Sequence, residues 1–156
     1  MRFVPAIGTF ALGAATVLVT GAALLRQQPQ PQPQQQGDVQ YIGNGRFLSN
    51  AVRVGNTLYL SGQLGTSGER GIAPETKGAL ERIKSLLEAN GGTMDDVVKC
   101  TVFLADFAEW GAMNEVYTTY FTKHRPARSA VAVNGMASDA RVEIECMAVI
   151  GARNAS

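Results

Sequence analysis

The chain carries the stretch RVEIECMAVI at residues 141–150, whose alternating side chains predict a β-strand. One face of this strand bears Val142, Ile144, Cys146, Ala148 and Ile150, and the other bears Met147 and Val149 beside Glu143 and Glu145. The stretch VVKCTVFL at residues 97–104 predicts a second strand with apolar side chains on both faces, Val98, Cys100, Val102 and Leu104 against Val97 and Phe103. An antiparallel sheet that leaves one face in water should be polar there. Both strands are therefore predicted to be central and covered on both sides.

The remaining elements are predicted outward from these two strands. Residues 51–60 form a hairpin around Gly55-Asn56. Residues 74–89 form a helix, because leucines and an isoleucine recur there at helical spacing. A second helix begins at Asp106 and carries an aromatic stripe, which is read as core, and residues 129–133 form another strand. The order ββαβαββ predicts the α+β class, with two helices on one sheet face.

Two helices can cover only one face of such a sheet. The other apolar face then needs a second copy of the chain, so the sequence predicts a homo-oligomer. Glu143 and Glu145 would lie near the boundary between subunits, where a carboxylate needs a partner or a water-filled cleft.

The N-terminal part differs from the rest in composition. Residues 3–25 carry no charge and are long enough to span a bilayer, and residues 27–36 are glutamine and proline only. The predicted organisation is a hydrophobic signal or anchor segment at 1–26, a linker at 27–37 and a domain at 38–156. The length favours an uncleaved anchor over a cleaved signal peptide. The domain is expected to be exported or membrane-anchored on the extracytoplasmic (periplasmic) side, with a cytoplasmic location as the alternative.

Charge and composition exclude several kinds of function. Residues 37–156 hold 12 basic and 13 acidic side chains, a net charge of −1, whereas a protein built mainly to bind nucleic acid needs a basic excess. His124 is the single histidine, so no histidine-rich metal site is possible. Cys100 and Cys146 lie in apolar runs and are read as buried small hydrophobic residues rather than a disulfide.

Four places offer polar groups for chemistry. Arg128 precedes a strand and can present its guanidinium to a carboxylate; the alternative is a surface ion pair. Glu143 can move protons, or can simply lie on a solvated strand face. Ser61-Gly62 closes the second strand, either as a ligand contact or as a plain turn. Asn114 is an amide among the apolar residues of the second helix, placed to hydrogen-bond or to be exposed.

These pieces resemble, in this order, the Rid/YjgF family of reactive-intermediate (2-imino acid) deaminases. The matching stretches are residues 58–64 (LYLSGQL), 97–104 (VVKCTVFL), 113–117 (MNEVY), 125–131 (RPARSAV) and 142–149 (VEIECMAV). The resemblance covers about residues 42–151. It implies a chorismate-mutase-like (YjgF/RidA) fold and a homotrimer with clefts between subunits.

The resemblance also implies a reaction, the hydrolysis of 2-imino acids or their enamine tautomers to 2-keto acids and ammonia. Arg128 would hold the substrate carboxylate and Glu143 would position or activate water. Ser61, Gly62, Asn114 and Ala130 would line the pocket. No metal and no cofactor is implied, and the partners are the small-molecule substrate, other copies of the chain and, through the N-terminal segment, a membrane.

Two departures from the family pattern affect substrate range and rate. A tyrosine common near the first strand is Phe47 here, and the loop before Arg128 is short.

The alternatives to the enzyme are a non-catalytic module that binds small carboxylates and an endoribonuclease or translation inhibitor. The net charge of the domain argues against the second of these.

Overall fold

The computed structural model describes residues 38–43, 45–66 and 68–151. Its helices are α1 (Ile72–Ala89) and α2 (Trp110–Tyr120). Its strands are β1 (Val39–Ile42), β2 (Ala51–Val54), β3 (Thr57–Leu60), β4 (Gln63–Leu64), β5 (Val97–Leu104), β6 (Ala127–Ala132) and β7 (Val142–Val149). The predicted order ββαβαββ is confirmed, with the exposed strand β1 and the two-residue strand β4 in addition.

All seven strands belong to one mixed sheet in the order β1-β2-β3-β7-β5-β6, with β4 also paired to β7. Strand β7 pairs antiparallel with β3, β4 and β5, so it lies at the centre. Strands β5 and β6 are parallel because α2 crosses over between them. The predicted α+β class, with two helices on the sheet, is confirmed.

The core lies between the helices and one face of the sheet. Strand β7 buries Val142, Ile144, Cys146 and Ala148 there. Helix α1 covers them with Leu80, Ile83 and Leu87, and α2 adds Met113 and Tyr117. The aromatic stripe predicted on α2 therefore contributes to the core mainly through Tyr117, since Trp110 is 43% exposed.

A bulge at the start of β5 corrects the predicted faces of that strand. The pairing with β7 shifts between Val97 and Lys99. As a result Val97 is fully buried and Val98 is 43% exposed. Val97 therefore joins Cys100, Val102 and Leu104 on the helix-covered face, and a strict alternation along residues 97–104 was wrong for the first two residues.

The opposite face of the sheet is uncovered in the single chain. The pairing of Tyr59 with Met147 and of Phe103 with Glu143 and Val131 places these side chains on that face. Tyr59 and Val131 are each 44% exposed. We call this apolar surface the open face. It is the surface for which the sequence predicts another copy of the chain.

The two cysteines correct another expectation. They are buried as predicted, but Cys100 of β5 and Cys146 of β7 are directly opposite each other and form a disulfide. The interpretation as free, buried small residues was therefore wrong. Side chains that face each other on neighbouring antiparallel strands are close enough to be bridged.

The prediction of an exported or membrane-anchored domain is corrected as well. Across 38–43, 45–66 and 68–151, neither helix is long and apolar enough to cross a bilayer. The segments 1–26 and 27–37, on which that prediction was based, lie outside the described residues. The expectation of export or membrane anchorage is therefore withdrawn, and the boundaries of the 38–156 domain stay a prediction.

Candidate functional site

Arg128 lies on β6, at the edge of the sheet. Its register partner is Cys100 of β5, so its side chain leaves the strand on the helix-covered face. The guanidinium carbon lies 4.6 Å from the centre of the Tyr117 ring on α2. A cation at this distance over an aromatic face is attracted by the ring quadrupole. Helix and strand together fix the position of this guanidinium.

A cleft of about 390 Å³ opens where α2 meets the start of β6. We call it the arginine cleft. Its lining residues are Trp110, Asn114, Tyr117, Thr118, Arg125, Pro126 and Arg128. The structure thus brings together Arg128 and Asn114, two of the predicted site residues. Ala130 follows on the same face of β6 and packs against the core.

Tyr117 stands out among the lining residues. It is only 3% exposed, and in the described part of the chain its hydroxyl is the one buried side-chain polar atom without a hydrogen-bond partner. Burial raises the pKa of Tyr117 to about 12, although the positive charges of Arg128 and Arg125 act to lower it. At neutral pH the cleft therefore has an uncharged, unpaired hydroxyl group in its wall.

Glu143 lies elsewhere, on the open face of β7. The backbone of Gly62 runs against its carboxylate, because a Cβ built on Gly62 would lie 1.8 Å from Glu143 Oε1. Glycine is thus required at residue 62 as long as Glu143 keeps this position. Ser61 donates a hydrogen bond of 2.6 Å to the Ser49 carbonyl oxygen, which leaves its oxygen free to accept one.

A second cleft, of about 290 Å³, includes Glu143. Its other lining residues are Phe103, Val133, Gly135, Met136 and Ala137. We call it the glutamate cleft. The predicted site residues therefore form two groups in one chain, Arg128, Asn114 and Ala130 on the helix-covered face and Glu143, Ser61 and Gly62 around the open face of β7.

The wall of the glutamate cleft is held by a network that sequence reasoning missed. Glu75 of α1 is fully buried. Its carboxylate accepts hydrogen bonds from the backbone N–H groups of Gly71 and Arg141 and pairs with Arg70 at 3.0 Å. Arg70 also donates to the carbonyl oxygens of Ser138 and Asp139, in the loop that follows Ala137. No sequence signal marks Glu75, because its partners are mostly backbone groups.

Phe47 stands where the resemblance to the family leads us to expect a tyrosine. Its side chain is 87% exposed, with the Arg46 guanidinium carbon 5.2 Å from the ring centre. Within the single chain it lines neither the arginine cleft nor the glutamate cleft.

Two helices packed on one face of a mixed sheet place the chain in the α+β class. The family model described as Endoribonuclease L-PSP matches residues 42–150. The chain therefore belongs to this family, which is the Rid/YjgF family that the sequence resembles.

Individual relatives agree with this assignment. A 2-iminobutanoate/2-iminopropanoate deaminase of Rattus norvegicus is 44% identical over 109 residues, which is 66% of this chain and 80% of the relative. A RutC family protein of Pyrococcus abyssi is 41% identical over 106 residues, 64% of this chain and 84% of the relative. The crystal structure of a YjgF family member from Neisseria meningitidis superposes with a TM-score of 0.70 at 28% identity, covering 76% of this chain and 99% of that one.

Proposed function

We propose that this protein hydrolyses 2-imino acids, or their enamine tautomers, to 2-keto acids and ammonia. The observation that carries the proposal is the Arg128 guanidinium, fixed over the Tyr117 ring in an open cleft. It forms no ion pair with any carboxylate among residues 38–43, 45–66 and 68–151. Relatives with 41–45% identity are named 2-iminobutanoate/2-iminopropanoate deaminases. Their names indicate the reaction in which such an arginine would bind the substrate.

The reaction requires the protein to orient the substrate and to transfer protons. An imine carbon is already electrophilic, so the oxygen of water adds to it while Glu143 accepts the proton that water loses. The nitrogen takes up that proton from Glu143. As the C–N bond breaks, the proton of the new hydroxyl group also passes to the nitrogen, so that ammonia leaves and the carbonyl forms. Arg128 orients the substrate through two hydrogen bonds to its carboxylate. Orientation and proton transfer are each able to accelerate such a step, the latter by about 10²–10⁴-fold.

The two groups of site residues have to meet for this reaction. In one chain Arg128 leaves β6 on the helix-covered face, whereas Glu143 lies on the open face of β7. We propose that the open face packs against another copy, in a homotrimer. Each active site would then combine Arg128, Asn114 and Ala130 of one subunit with Glu143, Ser61 and Gly62 of its neighbour.

The direct test uses the full-length chain and 2-iminobutanoate generated in situ by an amino-acid oxidase. Release of 2-oxobutanoate should exceed the uncatalysed rate. Arg128→Ala should lower kcat/KM about 100-fold or more, since it removes the charged donors that hold the substrate. Arg82→Ala, at an exposed arginine of α1, is the matched control and should leave the rate unchanged. An Arg128→Ala variant that folds and keeps the parental rate would contradict the proposal.

The same preparation tests the two alternative functions. Tight binding of 2-oxobutanoate without turnover would indicate a binding module. RNA cleavage that weakens as salt is raised would indicate the nuclease activity that the family model's description names. Imine hydrolysis that depends on Arg128, without RNA cleavage, is the result that the arginine cleft leads us to expect.

A further inference from the structure

The arginine cleft of the single chain is positively charged. Two of its lining residues are arginines, Arg125 and Arg128, and none is acidic. The ion pairs of the described residues join Arg70 to Glu75, Lys123 to Asp95 and Arg141 to Glu109. Neither arginine of the cleft takes part in them, so the single chain presents two guanidinium groups without a carboxylate.

Arg125 is held in the cleft by the end of α2. Its Nη1 donates to the carbonyl oxygens of Thr118, at 3.2 Å, and of Phe121. These bonds use one nitrogen, and the other N–H groups of Arg125 make no hydrogen bond to the described residues. Pro126 is buried directly after it, which fixes the backbone between Arg125 and Arg128. The guanidinium is therefore positioned and still has donors to offer.

The charges around the arginine cleft determine which ligands it can bind. The carboxyl end of a helix such as α2 carries about half a negative charge, which offsets part of the charge on Arg125. The carboxylate of one substrate molecule then compensates Arg128. Within the arginine cleft of the single chain, a positive excess remains beside Arg125. A ligand with a second acidic group would accept hydrogen bonds from the free N–H groups of Arg125.

We propose that the preferred substrates are 2-imino acids with a second carboxylate, and that Arg125 is the residue that determines this specificity. The inference rests on the proposed deaminase function and names the substrate class of that site. Arg128 binds the carboxylate next to the imine, and Arg125 binds the carboxylate at the far end of the side chain. The volume of the cleft, about 390 Å³, is within the range of about 300–1,000 Å³ that small-molecule sites occupy.

The test compares two ligands that differ only at the far end, 2-oxoglutarate and 2-oxopentanoate, with the full-length protein. Calorimetric titration gives the Kd of each keto acid, and the imines made from glutamate and norvaline give the matching ratio of kcat/KM. The dicarboxylate should bind about 10- to 100-fold more tightly, because it adds charge-assisted hydrogen bonds. Arg125→Gln should abolish most of this ratio, and Arg125→Lys should retain a substantial part of it.

The controls separate this inference from a structural role of Arg125. Arg82→Gln, on the exposed side of α1, should keep the parental ratio. Light scattering and thermal unfolding show whether Arg125→Gln keeps the parental oligomer and fold. If Arg125→Gln lowers the affinity for both keto acids equally, or changes the oligomer, Arg125 only supports the helix or a subunit contact and the inference is overturned. If the parent binds both keto acids equally, it is overturned as well.

The outcomes also separate this inference from the proposed function. Hydrolysis of 2-iminobutanoate without any preference for the dicarboxylic imine would overturn the inference alone. A lack of hydrolysis with every imine would overturn the proposed function, and the specificity with it.

Discussion

Arg128 and Tyr117 show what a single residue contributes to this protein. Arg128 was predicted to lie just before a strand at residues 129–133, whereas it lies within β6. The predicted position, together with the resemblance to a known family, was enough to single it out from the sequence. Tyr117 was predicted only as part of an apolar stripe, and that is correct for its ring, which packs in the core. Its unpaired hydroxyl could not be predicted, because whether a buried group finds a partner depends on side chains from other elements.

Tyr117 leads to a prediction about alkaline pH. The pKa of this tyrosine is raised from 10.0 to about 12 by burial. Between pH 10 and pH 12 the unfolded chain loses this proton while the folded protein keeps it. The free energy of unfolding should therefore fall as the pH rises through this window, by about 2–3 kcal/mol at its upper end.

The measurement is urea unfolding of the parent and of Tyr117→Phe from pH 8 to pH 12. The variant should lack this component of the alkaline loss, and at neutral pH it should be as stable as the parent or more stable, because it removes a buried hydroxyl without a partner. Tyr41→Phe, at a tyrosine that is 74% exposed, is the control and should follow the parent. Identical pH dependence in all three proteins would contradict the assignment.

At the scale of elements, the pattern of side chains predicted most of the sheet. Strand β5 was predicted with its observed ends, residues 97–104, and β7 to within a residue at each end, because apolar side chains recur along both stretches. Strand β1 was missed because three of its four residues are exposed and carry no such pattern. The bulge at Val98 was missed because it depends on how β5 pairs with β7, which no local pattern contains.

The disulfide between Cys100 and Cys146 was missed for the same physical reason. Two cysteines 46 residues apart can be bridged only if the register of β5 and β7 places them opposite each other. The sequence predicted both strands and the burial of both cysteines, but not their register. The cross-link joins the two central strands of the sheet.

Reduction of this disulfide should destabilise the fold. A bridge that closes a loop of 46 residues restricts the unfolded chain and contributes about 4 kcal/mol in the chain-entropy model. Thermal unfolding with and without a reductant measures the effect. The double variant Cys100→Ala/Cys146→Ala is the control, since its unfolding should not respond to the reductant. Two titratable thiols in the unfolded, unreduced parent would contradict the presence of the bridge.

At the scale of the whole molecule, the central feature is that one chain holds the proposed site residues in two separate groups. The sequence predicted the need for a second copy by counting apolar faces, and the structure has the open face that this argument requires, with Tyr59 and Val131 each 44% exposed. The sequence could not place Arg128 and Glu143 on opposite faces of the sheet, because that follows from the parallel register of β5 and β6.

A mixing experiment with two inactive variants, Arg128→Ala and Glu143→Ala, tests most directly whether the active site is shared between copies of the chain. Each variant alone should be inactive on 2-iminobutanoate. When the two are unfolded and refolded together in equal amounts, random assembly into a ring should give sites with an intact Arg128 from one subunit and an intact Glu143 from its neighbour, and about a quarter of the parental activity should return. Refolding each variant separately and mixing afterwards is the control. If the co-refolded oligomer is no more active than the separate variants, the site is not shared between copies of the chain and the account is wrong.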